Sequence, residues 1–131
     1  MRYVSTRGNA PELGFADVLL AGLADDGGLF VPEHWPALPP LEELRQLDYA
    51  ALAAEVMWPY VAPDGEPHPG DLDRRSFGRI VADAYSAFDA PEVVPVTPLG
   101  DLWLVELFHG PTLAFKDVAL QLVGRLFDHV L

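Results

Sequence analysis

Residues 102–131 of the chain read LWLVELFHGPTLAFKDVALQLVGRLFDHVL, and this stretch decides the fold that we predict. Its first six residues, which are apolar apart from Glu106, are predicted to form a strand. Residues 108–112 contain a Gly-Pro pair and are expected to form a loop. From about Leu113 to the last residue, apolar side chains recur at helical spacing. The stretch therefore predicts a strand, a loop and a long helix in succession.

The segment before this stretch supplies one more strand. Val93–Val96 is apolar, and Pro98–Asp101 predicts a turn between it and the strand that begins at Leu102. Two strands are too little sheet to cover the broad apolar face of the last helix. That helix also has no Gly cap or Pro stop in its final turn. We therefore expect that a partner covers this face or that the sequence is incomplete.

The first 92 residues indicate a small unit that mixes strands with helices. We predict strands at residues 2–6 and 29–31, and helices at residues 14–24, at 41–57 and from about 72 to 88. We place a domain boundary near residue 92. Asp71 or Asp73 is expected to cap the third helix, and Pro59 to end or kink the second. Loops rich in Pro and Gly are expected at residues 32–40 and 62–71.

Composition excludes several classes of function. The chain has 131 residues and a net charge of −12, which argues against binding to nucleic acid or to an anionic membrane surface. It has no cysteine, and no two of its four histidines have helical ligand spacing, so no metal site is expected. No run is apolar enough for a signal core or a membrane span. These features fit a cytoplasmic protein.

Lys116 is the only lysine, because the other seven basic residues are arginines. On a helical wheel at about 100° per residue, Leu120 lies about 40° from it, and Val123 and Phe127 about 20° from it. Polar side chains, beginning with Asp117, lie roughly 100–180° round the helix. Lys116 is therefore predicted to point with the apolar side chains, in the first turn of the helix.

This position is predicted to disfavour the charged form of Lys116. Burial lowers the pKa of a lysine, and the positive end of the helix dipole acts in the same direction. A neutral amine is the nucleophile that condenses with an aldehyde, and a Schiff-base lysine needs such surroundings. The alternative is that the stem of Lys116 covers apolar neighbours while its ammonium group reaches water.

The residues around Lys116 carry a resemblance to a known family. The motif Leu107–Asp117, LFHGPTLAFKD, resembles the cofactor-lysine segment of threonine synthases, which belong to the tryptophan-synthase-β-like, fold-type II group of pyridoxal-phosphate enzymes. A second block, Tyr3–Gly8 (YVSTRG) followed by Gly22–Pro32 (GLADDGGLFVP), is similar to the N-terminal domain of the same family. The two blocks stand in the family's order, and the residues between them are compatible but not diagnostic.

The resemblance implies a fold and a reaction. Residues 1–92 would form the family's small N-terminal α+β domain, and residues 93–131 the start of an incomplete pyridoxal-phosphate-binding α/β domain. The family converts O-phospho-L-homoserine and water into L-threonine and phosphate, with pyridoxal 5'-phosphate held as a Schiff base, here on Lys116. The glycine-rich loop for the cofactor phosphate and the partner of the pyridine nitrogen lie downstream of the lysine in the family. We therefore expect these 131 residues alone to be inactive.

The neighbours of Lys116 are weaker site candidates. His109 would bond near the cofactor or substrate, or else only to backbone. Thr112 is expected to be the N-cap of the helix, and Asp117 to support its first turn or to pair locally. Ser5, whose neighbours Thr6 and Arg7 complete a polar strand end, would meet an anionic substrate or only water.

Two alternatives to threonine synthase stay open. A threonine-synthase-like phospholyase would eliminate phosphate without making threonine. A non-catalytic interaction protein would use the apolar face of the last helix to bind a partner. The sequence indicates no oligomeric state.

Overall fold

The computed structural model describes residues 1–63 and 72–131. Its strands are β1 (Tyr3–Ser5), β2 (Phe30–Pro32), β3 (Val96–Leu99) and β4 (Leu102–Val105). Its helices are α1 (Phe15–Ala21), α2 (Leu41–Leu44), α3 (Tyr49–Val61), α4 (Arg74–Tyr85) and α5 (Asp117–Val130). The predicted α/β class is correct, with two small sheets and helices that pack around one core.

The N-terminal sheet pairs the two strands that flank α1. β1 and β2 pair antiparallel, with Tyr3 opposite Pro32 and Ser5 opposite Phe30. β2 ends at Pro32, one residue later than predicted, and proline is tolerated at this position because it lies on an edge strand. α1 ends at Ala21 rather than at residue 24. After α1, Leu23 pairs with Leu29 in an isolated antiparallel bridge.

The single helix predicted at residues 41–57 is wrong. The structure has a short helix, α2, and then a new helix, α3, whose N-cap is Asp48; the Asp48 carboxylate accepts from the backbone N–H of Ala51 at 2.8 Å. α3 continues past Pro59 to Val61. A proline so close to the helix end removes a single hydrogen bond and is tolerated there.

Asp73 caps α4, as predicted for one of two aspartates. Its carboxylate accepts from the backbone N–H of Ser76 at 2.9 Å and from the Ser76 hydroxyl at 2.7 Å. The other candidate, Asp71, lies outside the described residues, as does most of the loop predicted at residues 62–71. α4 ends at Tyr85, three residues earlier than predicted.

One hydrophobic core lies where α3, α4 and α5 pack together. Trp58 and Val61 of α3 meet Phe77 and Val81 of α4. α5 adds two buried leucines, Leu122 and Leu126. The other buried members of this core are Ala62, Leu72, Ala84, Tyr85 and Val93. The core therefore contains residues from both sides of position 92, and a domain boundary at that position stays a prediction.

The second sheet is a hairpin that is exposed on both faces. β3 and β4 pair antiparallel from Val96 opposite Val105 to Leu99 opposite Leu102. The turn is two residues long and contains Gly100 at φ +61°, a conformation that glycine adopts without strain. β3 begins later than predicted because Val93 takes a left-handed conformation, with φ +60°. The large apolar side chains of both strands are between 48% and 71% exposed, and no residue of either strand is buried.

Replacement of Leu122 tests the packing of α5. Leu122→Ala is expected to lower the free energy of unfolding by about 2–5 kcal/mol, because it leaves a cavity in the core. Leu120→Ala, on the exposed side of the same helix, is the matched control and is expected to change it by about 0.5 kcal/mol. Urea unfolding followed by tryptophan fluorescence measures both. Equal effects of the two variants would contradict this packing.

Candidate active site

The segment before α5 is a series of tight turns and not the helical turn that we predicted. The backbone N–H of Leu113 donates to the carbonyl of Gly110, and that of Asp117 to the carbonyl of Ala114. Leu113 has φ +60°, a left-handed conformation that interrupts a helix. The predicted helix start at Leu113 is therefore wrong. α5 starts at Asp117, and Lys116 is the residue immediately before it.

Lys116 is exposed in the structure. The expectation that it is kept out of water by the apolar face of the helix is wrong for this chain. The reason is that its apolar neighbours form only one wall. Among the described residues, no other segment closes over the amine, so Lys116 lines an open cavity.

This cavity has a volume of about 430 Å³ and apolar walls. Helices from both halves of the chain contribute to it. Its lining residues are Met57, Tyr85, Phe115, Lys116, Val118, Ala119, Leu120, Leu122 and Val123.

Tyr85 is the polar side chain that α4 brings to this cavity. Burial, with a smaller effect of the nearby Tyr49, raises the pKa of Tyr85 to about 12. Its hydroxyl therefore stays protonated at neutral pH, and it donates to the carbonyl of Val118 at 3.3 Å. Tyr85 is suited to hold the first turns of α5 in place and not to act as a base.

Asp117 is the most buried charged residue of the site, at 1% exposure. One carboxylate oxygen, Oδ2, accepts from the backbone N–H of Thr112 at 2.7 Å and from the Thr112 hydroxyl at 2.9 Å. The other, Oδ1, accepts from Gln121 Nε2 at 3.4 Å. Burial opposes ionisation, but the bonds from Thr112 and Gln121 outweigh it and hold the pKa of Asp117 below its ordinary value.

The prediction that Thr112 is the N-cap of α5 is wrong. Thr112 lies five residues before the helix, and its hydroxyl donates to the Asp117 carboxylate instead of accepting from a backbone N–H. The physical reason is that the turns at residues 113–116 separate Thr112 from the helix. Asp117 pairs locally through these bonds, which is the structural role expected of it.

His109 binds two carboxylates rather than backbone groups through its ring. Nδ1 lies 2.8 Å from Asp89 Oδ1, and Nε2 lies 2.7 Å from Glu106 Oε2. Both acceptors are carboxylates, so both ring nitrogens donate when His109 is charged. The bond to Glu106, and then that to Asp89, raise the pKa of His109 above its ordinary value of 6.5. His109 therefore ties the loop after β4 to the segment that follows α4.

The polar residues at the end of β1 are organised by Asp26, which was not among the predicted site residues. The Asp26 carboxylate accepts from the Ser5 hydroxyl at 2.7 Å and from the backbone N–H groups of Asn9 and Gly28. The Arg7 guanidinium donates to the backbone carbonyl of Asp26 at 2.9 Å. These residues bond to one another and not to the Lys116 cavity, since none of them lines it.

Sequence reasoning missed the residues that reach the site from far along the chain. Met57 and Tyr85 line the cavity from α3 and α4, and Asp89 binds His109 from 20 residues away. No local pattern marks these three residues, because their positions follow from how the helices pack.

The cavity fits one part of a pyridoxal-phosphate site. Lys116 offers the amine that an aldehyde requires, and the apolar walls suit an aromatic ring. The lining residues include no set of backbone or cationic donors suited to a phosphate group beyond Lys116 itself.

In residues 1–63 and 72–131, no group of three His, Asp or Glu side chains is placed to hold a metal ion. No described helix is both long and apolar enough to cross a bilayer.

Comparison with known proteins identifies the protein family. The family model described as "Threonine synthase N terminus" matches residues 2–85. Since this match covers more than half of the chain, the chain belongs to the threonine synthase family and corresponds to its N-terminal portion.

Individual relatives agree with the family match. The chain is 53% identical to a threonine synthase from Pseudomonas aeruginosa over its whole length, and spans 27% of that protein. It is 36% identical to threonine synthase-like 2 from Xenopus laevis, again over its whole length and 27% of the relative. The chain thus spans about a quarter of the length of these relatives.

Solved structures show the same architecture. A PLP-bound threonine synthase from Brucella melitensis matches 99% of the chain with a TM-score of 0.84 and 44% identity, over 27% of that protein. A threonine synthase from yeast matches 98% of the chain with a TM-score of 0.80 and 38% identity, over 26% of that protein. The arrangement of small sheets and helices is therefore that of the N-terminal portion of threonine synthases.

The His109 cluster predicts a pH-dependent contribution to stability. Because the pKa of His109 is raised, the contribution is full below its ordinary value of 6.5 and is lost as pH rises through the folded-state value. His109→Gln should therefore be most destabilising at about pH 6 and progressively less so towards about pH 9. Urea midpoints across this range measure the difference from the unsubstituted chain.

His34→Gln is the control for this measurement, because His34 is exposed in the loop after β2. Its substitution should leave the urea midpoint nearly unchanged at each pH. A destabilisation by His109→Gln that stays constant, or grows, as pH rises would contradict the cluster's assigned role.

Proposed function

We propose that the chain supplies the cofactor lysine of a threonine synthase, which converts O-phospho-L-homoserine and water into L-threonine and phosphate. The observation that carries the proposal is the position of Lys116. It is the sole lysine of a chain in the threonine synthase family, and it lies at the start of α5 beside an open apolar cavity. The likeness to a solved threonine synthase described as PLP bound supports pyridoxal 5'-phosphate as the cofactor.

Pyridoxal phosphate, when bound, supplies an aldehyde that condenses with amines and a ring that withdraws electrons from the bound substrate. Lys116 has two parts in this proposal. Its amine would hold the cofactor through the aldehyde, and it would move protons at the carbons of the substrate.

The surroundings of Lys116 assign supporting parts to its neighbours. Leu120 and Val123 form the apolar wall against which the aldehyde and its ring would rest. Tyr85 holds the first turns of α5 through Val118, and His109 fixes the loop that leads towards Lys116. None of these neighbours is proposed to exchange a proton with the substrate.

The chain alone is proposed to lack activity. The Lys116 amine is exposed, whereas the reaction requires it uncharged and shielded from water. The cavity also has no cradle for the cofactor phosphate. In relatives almost four times longer, other residues are available for both tasks. We place the complete reaction in the cytoplasm and propose no nucleic-acid or membrane partner.

Covalent trapping tests the role of Lys116. The chain is joined to the remainder of the Pseudomonas aeruginosa relative, downstream of the matched portion. The chimera is incubated with pyridoxal phosphate, treated with borohydride, and digested for peptide mass analysis. We expect the label on the peptide that contains Lys116, and release of phosphate from O-phospho-L-homoserine before reduction. Lys116→Arg, which keeps the charge but not a deprotonating amine, should lose both.

The same assay on the 131-residue chain without the added portion should give no phosphate release above that of Lys116→Arg. Label on a different peptide of the active chimera would overturn the proposed role of Lys116. Release of phosphate by the chain alone would overturn the proposal that it lacks activity.

A threonine-synthase-like phospholyase is the second candidate, since the chain is also 36% identical to a relative named only as threonine synthase-like, threonine synthase-like 2 from Xenopus laevis. Such an enzyme would also release phosphate and would also require the Lys116 amine. Amino-acid analysis of the chimera's products separates the two, because only threonine synthase forms threonine. A chimera that folds but releases no phosphate would favour the non-catalytic alternative, an interaction protein.

A further inference from the structure

We propose that Asp117 is a positioning residue for Lys116: its buried carboxylate holds the turns at residues 110–117 so that the lysine side chain leaves the start of α5 beside the apolar cavity. This inference rests on the proposed function for its importance to catalysis. The geometry on which it stands involves no cofactor.

The first observation is the set of bonds that converge on the carboxylate. Oδ2 accepts two bonds from Thr112, one from the backbone N–H and one from the hydroxyl, and Oδ1 accepts from Gln121. Asp117 is 1% exposed, although it is charged and adjacent to exposed Lys116. A buried carboxylate is tolerated only where hydrogen bonds replace its hydration. The bonds from Thr112 therefore join the loop to the first residue of α5.

The second observation is the close approach of Gly110 to Asp117. A Cβ atom at position 110 would lie 2.4 Å from Asp117 Cβ and 2.6 Å from Oδ2. No side chain other than hydrogen fits at that distance, so the loop packs directly on the carboxylate. Asp117 thus contacts Gly110 and accepts hydrogen bonds from Thr112, so the segment from Gly110 to Asp117 forms a closed loop.

The third observation is the conformation of Leu113 inside this closed segment. A left-handed conformation is unfavourable for a residue with a branched side chain, and it persists only where its surroundings enforce it. The backbone N–H of Leu113 donates to Gly110, and that of Asp117 to Ala114. The carboxylate therefore closes a strained path of backbone that ends one residue after Lys116.

The consequence for Lys116 is a fixed direction. Lys116 has helical backbone angles, φ −63° and ψ −23°, and its carbonyl accepts from the N–H groups of Ala119 and Leu120. Its backbone is thus continuous with α5 on one side and with the closed segment on the other. An exposed lysine on a free loop would have neither restraint. Here only the side-chain torsions remain free to move the amine.

Two replacements of Asp117 separate its chemistry from its volume. Asp117→Asn keeps an oxygen for the two Thr112 bonds and replaces the other oxygen, which accepts the long bond from Gln121. Asp117→Ala removes every acceptor and leaves the donors of Thr112 without a partner. If the carboxylate positions Lys116, the asparagine variant should retain the position and the alanine variant should lose it.

The control is Asp73→Ala in α4. The Asp73 carboxylate accepts from the backbone N–H and the hydroxyl of one residue, Ser76. Asp117 makes the same two bonds to Thr112, so the two alanine variants lose closely similar interactions. Asp73 is not among the residues that line the Lys116 cavity. A general loss of stability would affect both variants, whereas a positioning role is specific to Asp117.

The lone lysine permits a direct measurement on the 131-residue chain by NMR. Lysine labelled with ¹³C at Cε gives one side-chain signal, that of Lys116. In the unsubstituted chain we expect nuclear Overhauser effects from this signal to the methyl groups of Leu120 and Val123, which share the cavity wall. These effects should be lost in Asp117→Ala and retained in Asp117→Asn and Asp73→Ala. Methyl signals of the buried Leu122 and Leu126 report that each variant is folded.

Persistence of the Lys116 effects in folded Asp117→Ala would overturn the inference, as would their equal loss in Asp73→Ala. If Asp117→Ala does not fold, Thr112→Val decides, because it removes only the hydroxyl that donates to Asp117. Weakened effects in Thr112→Val would then support the inference, and unchanged effects would overturn it.

In the chimera, Asp117→Ala is expected to lower kcat by about tenfold to a hundredfold, as displacement of a reacting group does. KM for O-phospho-L-homoserine should change little, and Asp117→Asn should restore most of kcat. A rise in KM at unchanged kcat would contradict positioning of the amine. Failure of borohydride to label Lys116 would overturn the proposed function alone, since the NMR measurement uses no cofactor.

Discussion

The packing of α5 on α4 is the interaction on which the rest of the structure depends. Leu122 and Leu126 enter the core that α3 and α4 form around Val81. This contact sets the position of the helix whose first residue follows Lys116. It also brings Met57 and Tyr85, from two other helices, to the wall of the lysine cavity. Without it, Lys116 would begin an isolated helix with no cavity beside it.

The sequence predicted the elements that depend on local chemistry. The strand–turn–strand order around Gly100, the cap at Asp73 and the long last helix all follow from turn residues, capping residues and apolar spacing. It failed where a distant contact overrides the local pattern. The helix predicted at residues 41–57 is divided, and the start of α5 is displaced to Asp117 because the Thr112 and Gly110 contacts hold the preceding turns.

The candidate site divides in the same way. Lys116 was found from its chemistry and its motif, and the structure places it beside an apolar wall. Its exposure matches the alternative and not the favoured prediction, because a helical wheel shows which side chains share a face but not whether another segment covers that face. The partners of His109 were equally hidden. One of them, Asp89, lies 20 residues away, and no spacing rule connects them.

The hairpin and the lysine cavity both leave apolar surface exposed to water. The apolar side chains of β3 and β4 are exposed on both faces, and the cavity beside Lys116 is open and apolar. Burial of an amine disfavours its charged form and costs free energy. Burial of apolar surface returns about 25 cal/mol per Å². In relatives almost four times longer, further chain that covered both surfaces would therefore offset the cost of shielding a lysine by the apolar area that it buries. On this argument, the free energy gained by burying apolar surface elsewhere in a longer chain would stabilise a fold in which an amine is shielded from water.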